Sequence, residues 1–248
     1  MSFTDEEVDR YARHLVLAEI GGAGQQRLKR ASVLVVGAGG LGGPAALYLA
    51  AAGIGRIAIA DPDTVALSNL QRQVIYREGD TGQLKAEVSA DRLRALNSAI
   101  AVEPLPFAVT ADNVADLVGA YDLVLDGTDD FATRLIVSDA CVPAGKTLVS
   151  GALGRWTGQV GVFAGRPCYR CFVAEVPPDA ETCAAVGVVG ALAGVIGSMM
   201  ALEAIKLIAR AGEPLVGRLL IYDSLTTNAR TVRVAPDPGC RACGGAKR

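Results

Sequence analysis

Histidine is almost missing from these 248 residues, with His14 as the single example. Nothing near His14 has the nucleophile-and-base spacing of a hydrolase, so that class of chemistry is set aside. A surplus of either charge is lacking too. Lys+Arg number 24 against Asp+Glu 26, and the net charge of -2 gives no general attraction to nucleic acid or to an anionic membrane. Any phosphate handling must therefore be local. The opening MSFTDEEVDR has neither the basic start nor the apolar run of a signal peptide, which leads to a cytoplasmic expectation.

What is present is apolar mass. Hydrophobic residues make up 51% of the chain, enough to bury a sizeable core. Two uncharged stretches, 31–55 and 182–202, are long enough to test as membrane spans. The first is broken by a glycine cluster and Pro44, and the second continues its helical pattern into Glu203 and Lys206, so both are read as buried segments and no membrane partner is expected.

Short apolar runs at 32–36 and 56–60 flank an Ala/Leu-rich helical stretch, which is a βαβ unit. Runs at 121–126 and 147–150 repeat the pattern after helical segments at 84–97 and 111–119. The expected class is α/β: a doubly wound, Rossmann-like, mostly parallel sheet. From Gly158 onward, strands at 159–163, 219–222 and 228–234 predict an antiparallel extension of that sheet, with a helix at 188–210 between them. The expected division is an N-terminal helical segment at 1–30, a nucleotide-binding core at 31–165, and a C-terminal part of the same domain at 166–248, carrying a crossover loop and a metal clamp.

Four constellations carry chemistry. Gly37-Ala38-Gly39-Gly40-Leu41-Gly42 fits GxGxxG between a strand and a helix, and Asp61 ends the next strand. Glycines let a backbone approach a phosphate at a helix N-terminus, and the carboxylate accepts ribose hydroxyls. This fingerprint does not separate NAD from ATP, so an NAD-dependent oxidoreductase stays as a rival. Ser68-Asn69-Leu70-Gln71-Arg72-Gln73 and then Lys85 place cations and amides where a triphosphate would extend, which favours ATP. Asp126-Gly127-Thr128-Asp129-Asp130 follows a strand at its carboxyl end; Asp129 is the first choice to hold Mg2+, while Thr128 or Asp130 can cap the next helix. Finally, Cys168 and Cys171 form one CxxC and Cys240 and Cys243 another, a set of four thiolates suited to a closed, structural Zn2+ site. Cys141 reads as core, and Cys183 lies in a Pro-containing loop where a thiol can react.

Taken in order, RYARHL, VLVVGAGGLGGPAALYLAAAG, LSNLQRQ, Lys85, LDGTDD, CYRC, GVVGALAGVIG to ALEAIK, and PGCRACG resemble the ThiF/MoeB family of adenylyltransferases, bacterial relatives of ubiquitin-activating enzymes. The resemblance covers residues 5 to 245. It implies a homodimer that uses ATP and Mg2+, carries structural zinc, and adenylates the C-terminal Gly-Gly carboxylate of a ubiquitin-like sulfur-carrier protein. The implied pathway is molybdenum cofactor biosynthesis, with the thiamine-pathway carrier as the alternative. The family's nucleotide site matches Gly40, Asp61, Ser68, Asn69, Arg72, Lys85 and Asp129, and Arg13 matches an arginine that reaches into the partner's site. Cys183 matches a residue that links covalently to the carrier in some relatives. Asp130 stands where relatives commonly have Asn, and Gly127 where a Cys is frequent. The chain ends soon after its second CxxC, so a separate sulfur donor is implied.

Overall fold

A computed structural model describes residues 3–176 and 187–244. The N-terminal helical stretch is split into α1 (Asp5–Arg10) and α2 (Ala12–Leu15), followed by α3 (Gly21–Arg30). The break falls at Tyr11, whose buried hydroxyl accepts a hydrogen bond from Asn97 at 2.9 Å. Next come β1 (Ser32–Val36), α4 (Gly42–Ala51), β2 (Arg56–Ala60), α5 (Lys85–Leu96) and β3 (Ala101–Leu105). They are followed by α6 (Val114–Gly119), β4 (Leu123–Asp126), α7 (Phe131–Cys141), β5 (Thr147–Gly154) and β6 (Thr157–Phe163). The last elements are α8 (Gly190–Ala209), β7 (Arg218–Asp223) and β8 (Asn228–Arg233).

All the strands join one eight-stranded sheet in the order β3-β2-β1-β4-β5-β6-β7-β8. The pairs from β3 to β5 are parallel, and β6, β7 and β8 are added antiparallel. The mostly parallel sheet with an antiparallel extension is therefore present. Strand β3 is the exception to the sequence reading. Its segment AVEPL carries Pro104, which tells against a strand, yet β3 is an edge strand and a missing donor can be tolerated there.

Within β1, Val33 and Val35 join the hydrophobic cluster on one face of the sheet, while Leu34 and Val36 join the cluster on the other. Both faces are covered, as parallel strands require. Helix α8 is long and apolar enough to cross a membrane, but its Leu192, Ile196, Met200 and Ala204 recur every fourth residue and are buried in the core, where the helix packs on α3, α4, β5 and β6. Its closeness needs glycine: a Cβ on Gly197 would stand 2.6 Å from the Leu41 carbonyl oxygen.

Candidate functional site

Strand order reverses between β1 and β4, since β1 leads to β2 on one side and β4 lies on the other. At such a point the turns leaving the two strands diverge and open a crevice at their carboxyl ends. Here the crevice has a volume of about 520 Å3, and it is lined from both sides, by Gly37, Gly39, Gly40 and Asp61 on one and by Thr128 and Asp129 on the other.

The first wall is made of backbone. Gly37 has a φ of +87°, and a Cβ on Gly42 would stand 1.7 Å from the Gly37 carbonyl, so the turn closes only with glycine at both positions. Asp61 reaches across from the end of β2: its Oδ2 accepts the Ala38 N–H at 2.7 Å and its Oδ1 the Asp63 N–H at 2.9 Å. Burial pushes this carboxyl above its ordinary value, against the opposing pull of the Lys85 charge and the two N–H groups. The Tyr76 hydroxyl donates to the Ala38 carbonyl at 2.7 Å and lies 2.9 Å from Ser89 Oγ, which ties the glycine turn to α5.

Arg72 and Lys85 stand beside this wall. Arg72 folds back so that an Nη donates to the Ser68 carbonyl at 3.1 Å. Lys85 is buried, with its Nζ 2.8 Å from an Asp63 carboxylate that is itself largely exposed. A bound phosphate would compete with Asp63 for that ammonium.

The second wall rests on side chains. Asp130 caps α7 by accepting the Thr133 N–H and hydroxyl, each at 2.7 Å. Asp129, the exposed neighbour, lines the crevice with no such tie among the described contacts. Beneath them Asp126 is fully buried and accepts from Ser150 Oγ at 2.9 Å and the Thr128 N–H at 3.1 Å. Gly127 presses against the glycine turn, since a Cβ there would stand 2.8 Å from the Gly42 nitrogen.

Of the nucleotide-site residues expected from the sequence, Gly37, Gly39, Gly40, Asp61, Asn69, Arg72, Lys85, Asp129 and Asp130 line this crevice. Ser68 and Gln71 are exposed beside it, and Leu70 packs against the core. Arg13 is exposed on α2 and is not part of its own chain's crevice. Cys183 lies outside the described residues. Gln73, the last amide of the stretch that opens at Ser68, also lines the crevice, as do Asp63 and Arg134, which were not singled out. The Gln73 carboxamide oxygen is buried with no hydrogen-bond partner among the described residues, a signal that only the folded chain reveals.

The four cysteines converge away from the crevice. Their Sγ atoms lie within 4.8 Å of one another, with Cys168 and Cys240 at 3.6 Å and Cys171 and Cys243 at 3.4 Å. Tetrahedral Zn2+ with sulfur ligands separates them by about 3.8 Å, so the donor set and its spacing fit that ion. The Cys240 thiol is lowered to about 7: burial works against ionisation, but the N–H groups of Cys243 and Ala242 outweigh it.

The sequence profile described as the ThiF family matches residues 11–242. A sulfur carrier protein adenylyltransferase of Thermus thermophilus is 47% identical over 98% of this chain and 93% of its own length. The adenylyltransferase and sulfurtransferase MOCS3 of Bos taurus is 50% identical over 96% of this chain, which spans 54% of that longer protein. Among solved structures, E. coli MccB with ATP matches with a TM-score of 0.76 at 25% identity, covering 90% of this chain and 68% of that one. MccB with MccA-N7isoASN gives a TM-score of 0.84 at 22% identity over 98% of this chain and 76% of that one, a likeness of fold alone.

Proposed function

The chain belongs to the ThiF family, and on that premise we propose that it adenylates the C-terminal Gly-Gly carboxylate of a ubiquitin-like sulfur-carrier protein with ATP. The carrying observation is the crevice itself. A glycine turn and a ribose-accepting Asp61 stand on one wall, Arg72 and Lys85 at its side, and an exposed Asp129 on the other wall. The relative from Thermus thermophilus is named a sulfur carrier protein adenylyltransferase, which supports this reading.

In this reading the adenosine ribose hydrogen-bonds Asp61, and the phosphates run past Gly39 and Gly40 toward Arg72 and Lys85. The carrier's carboxylate is already ionised at neutral pH, so the protein supplies alignment and charge neutralisation rather than a base, which suits a chain with one histidine. Its oxygen attacks the α-phosphorus, the bond to the β-phosphate oxygen breaks, and acyl-AMP and pyrophosphate result. Asp129 would hold Mg2+, which neutralises phosphate charge when bound, and the four cysteines would hold a structural Zn2+.

Arg13 joins the site from a second copy of the chain. It is exposed and absent from its own crevice, and Tyr48 on α4 and Leu202 on α8, 58% and 59% exposed, supply apolar surface for a homodimer. The pathway proposed is molybdenum cofactor biosynthesis, with the thiamine carrier as alternative substrate. Exchange of labelled pyrophosphate into ATP tests the reading. It should require a Gly-Gly carrier and fall about 100-fold in Arg72→Ala and in Asp129→Ala. Exchange without any carrier, or unchanged rates in both variants, would sink it.

A further inference from the structure

Arg134 sits in the first turn of α7 at 4% exposure, and it is the most heavily engaged cation at the site. Its Nε lies 3.4 Å from Asp126 Oδ2, one Nη is 3.3 Å from Ser150 Oγ, and the other Nη donates to the Thr128 carbonyl. All three nitrogens are thus directed at the end of β4, at the middle of β5 and at the loop that carries Asp129. Although Arg134 lines the crevice, it has little left to offer a phosphate. On its flanks lie the rings of Phe131, 5.9 Å from the guanidinium carbon, and of Tyr169 at 5.7 Å.

Tyr169 stands between Cys168 and Cys171, in the loop of the first CxxC. It is 2% exposed and packs edge-on against Phe163, with centroids 5.4 Å apart. Two contacts therefore separate the cysteine cluster from the Asp129 loop: Tyr169, by its ring and its hydroxyl, to the guanidinium, and the guanidinium to the Thr128 carbonyl. We propose that Arg134 is the positioning residue of the Asp126–Asp130 loop and that Tyr169 sets where Arg134 sits, so the cysteine knuckle buttresses the carboxylate that takes the divalent ion. The inference rests on the divalent-ion role given to Asp129 above. The guanidinium reaches three acceptors from three separate nitrogens while lying against two rings, and a lysine ammonium, with one nitrogen, cannot do both.

The test uses the full-length protein with a non-hydrolysable ATP analogue. Mn2+ affinity is read by electron paramagnetic resonance, alongside zinc content and the melting temperature. Outer partners that orient a metal ligand alter metal affinity by about 10- to 100-fold, so Arg134→Lys should weaken Mn2+ by at least about tenfold. Tyr169→Leu should weaken it by about tenfold at full zinc content, and Tyr169→Phe, which keeps the ring, by less. Wild-type Mn2+ affinity in Arg134→Lys overturns the proposal, and so does a Tyr169→Leu loss that appears only in zinc-depleted protein. Should Arg134→Lys fail to fold, Tyr169→Leu decides alone. A wild-type protein that exchanges pyrophosphate with no carrier, while Mn2+ binding still depends on Arg134, removes the proposed substrate and keeps this inference. Carrier-dependent exchange with undiminished Mn2+ affinity in the variants does the reverse.

Discussion

The two walls of the crevice are built by opposite means. The β1 wall is backbone: a turn closed by Gly37 and Gly42, with Asp61 accepting the N–H groups of Ala38 and Asp63. The β4 wall is a knot of side chains from four segments, Asp126, Arg134, Ser150 and Tyr169, with a buried ion pair at its centre. A backbone wall tolerates changes of side chain and resists changes of shape; a wall held by buried charges fails when one partner goes.

The largest expected effect follows from that difference. Asp126→Ala would strand Arg134 as a buried, uncompensated charge and should cost about 3–5 kcal/mol of stability in urea denaturation. On the opposite wall Asp61→Asn keeps the volume and leaves no cation buried alone, and should cost less than about 1.5 kcal/mol. Equal losses from the two would mean that the walls do not differ in the way described.

These modes of construction also decide what could be read from the chain. The β1 wall is written in consecutive residues, since GxGxxG after an apolar run and Asp61 after the next one leave little freedom for the turn. The β4 wall was legible in part, since its run of aspartates offered Asp129 to a cation and Thr128 or Asp130 to a helix cap. Asp126 is a buried anchor, Asp130 a helix cap, and Asp129 is left open to the crevice. The role of Asp126 was the hidden one, because its partners Ser150 and Arg134 arrive from β5 and α7. Strand β3 was hidden for a local reason, Pro104, whose effect vanishes at a sheet edge. The four cysteines lay at the other extreme, because two CxxC pairs imply convergence whatever lies between them.

A smaller effect sharpens the comparison through pH. Burial raises the Asp61 carboxyl, while the pull of Lys85 and two N–H groups opposes it. Two opposite slopes result. Nucleotide affinity should fall as pH drops, starting above the ordinary aspartate value, because a protonated Asp61 no longer accepts two ribose hydroxyls. Stability responds the other way: the folded chain holds this proton more tightly than the unfolded one, so the group's contribution declines as pH rises through its folded pKa and is level above it. Calorimetric ATP affinity and melting temperature are to be followed between about pH 4.5 and 7 as differences between wild type and Asp61→Asn, which cancels the slopes of the other carboxyls. Difference slopes of the same sign would rule the account out.

The smallest effect separates holding a cation from storing it. Lys85 is buried at 7% side-chain exposure, but its partner Asp63 is 65% exposed, so the 2.8 Å contact is screened on one side by water. Asp63→Asn should therefore change stability by no more than about 0.5 kcal/mol. Lys85 is not stranded by the change, because the charge of Asp61 still acts on it. What should respond is the nucleotide. With no carboxylate to displace, the triphosphate meets a free ammonium, and KM for ATP should fall by about twofold, more at low salt than at high. A rise in KM instead would mean that Asp63 aims the ammonium at the phosphate rather than competing for it.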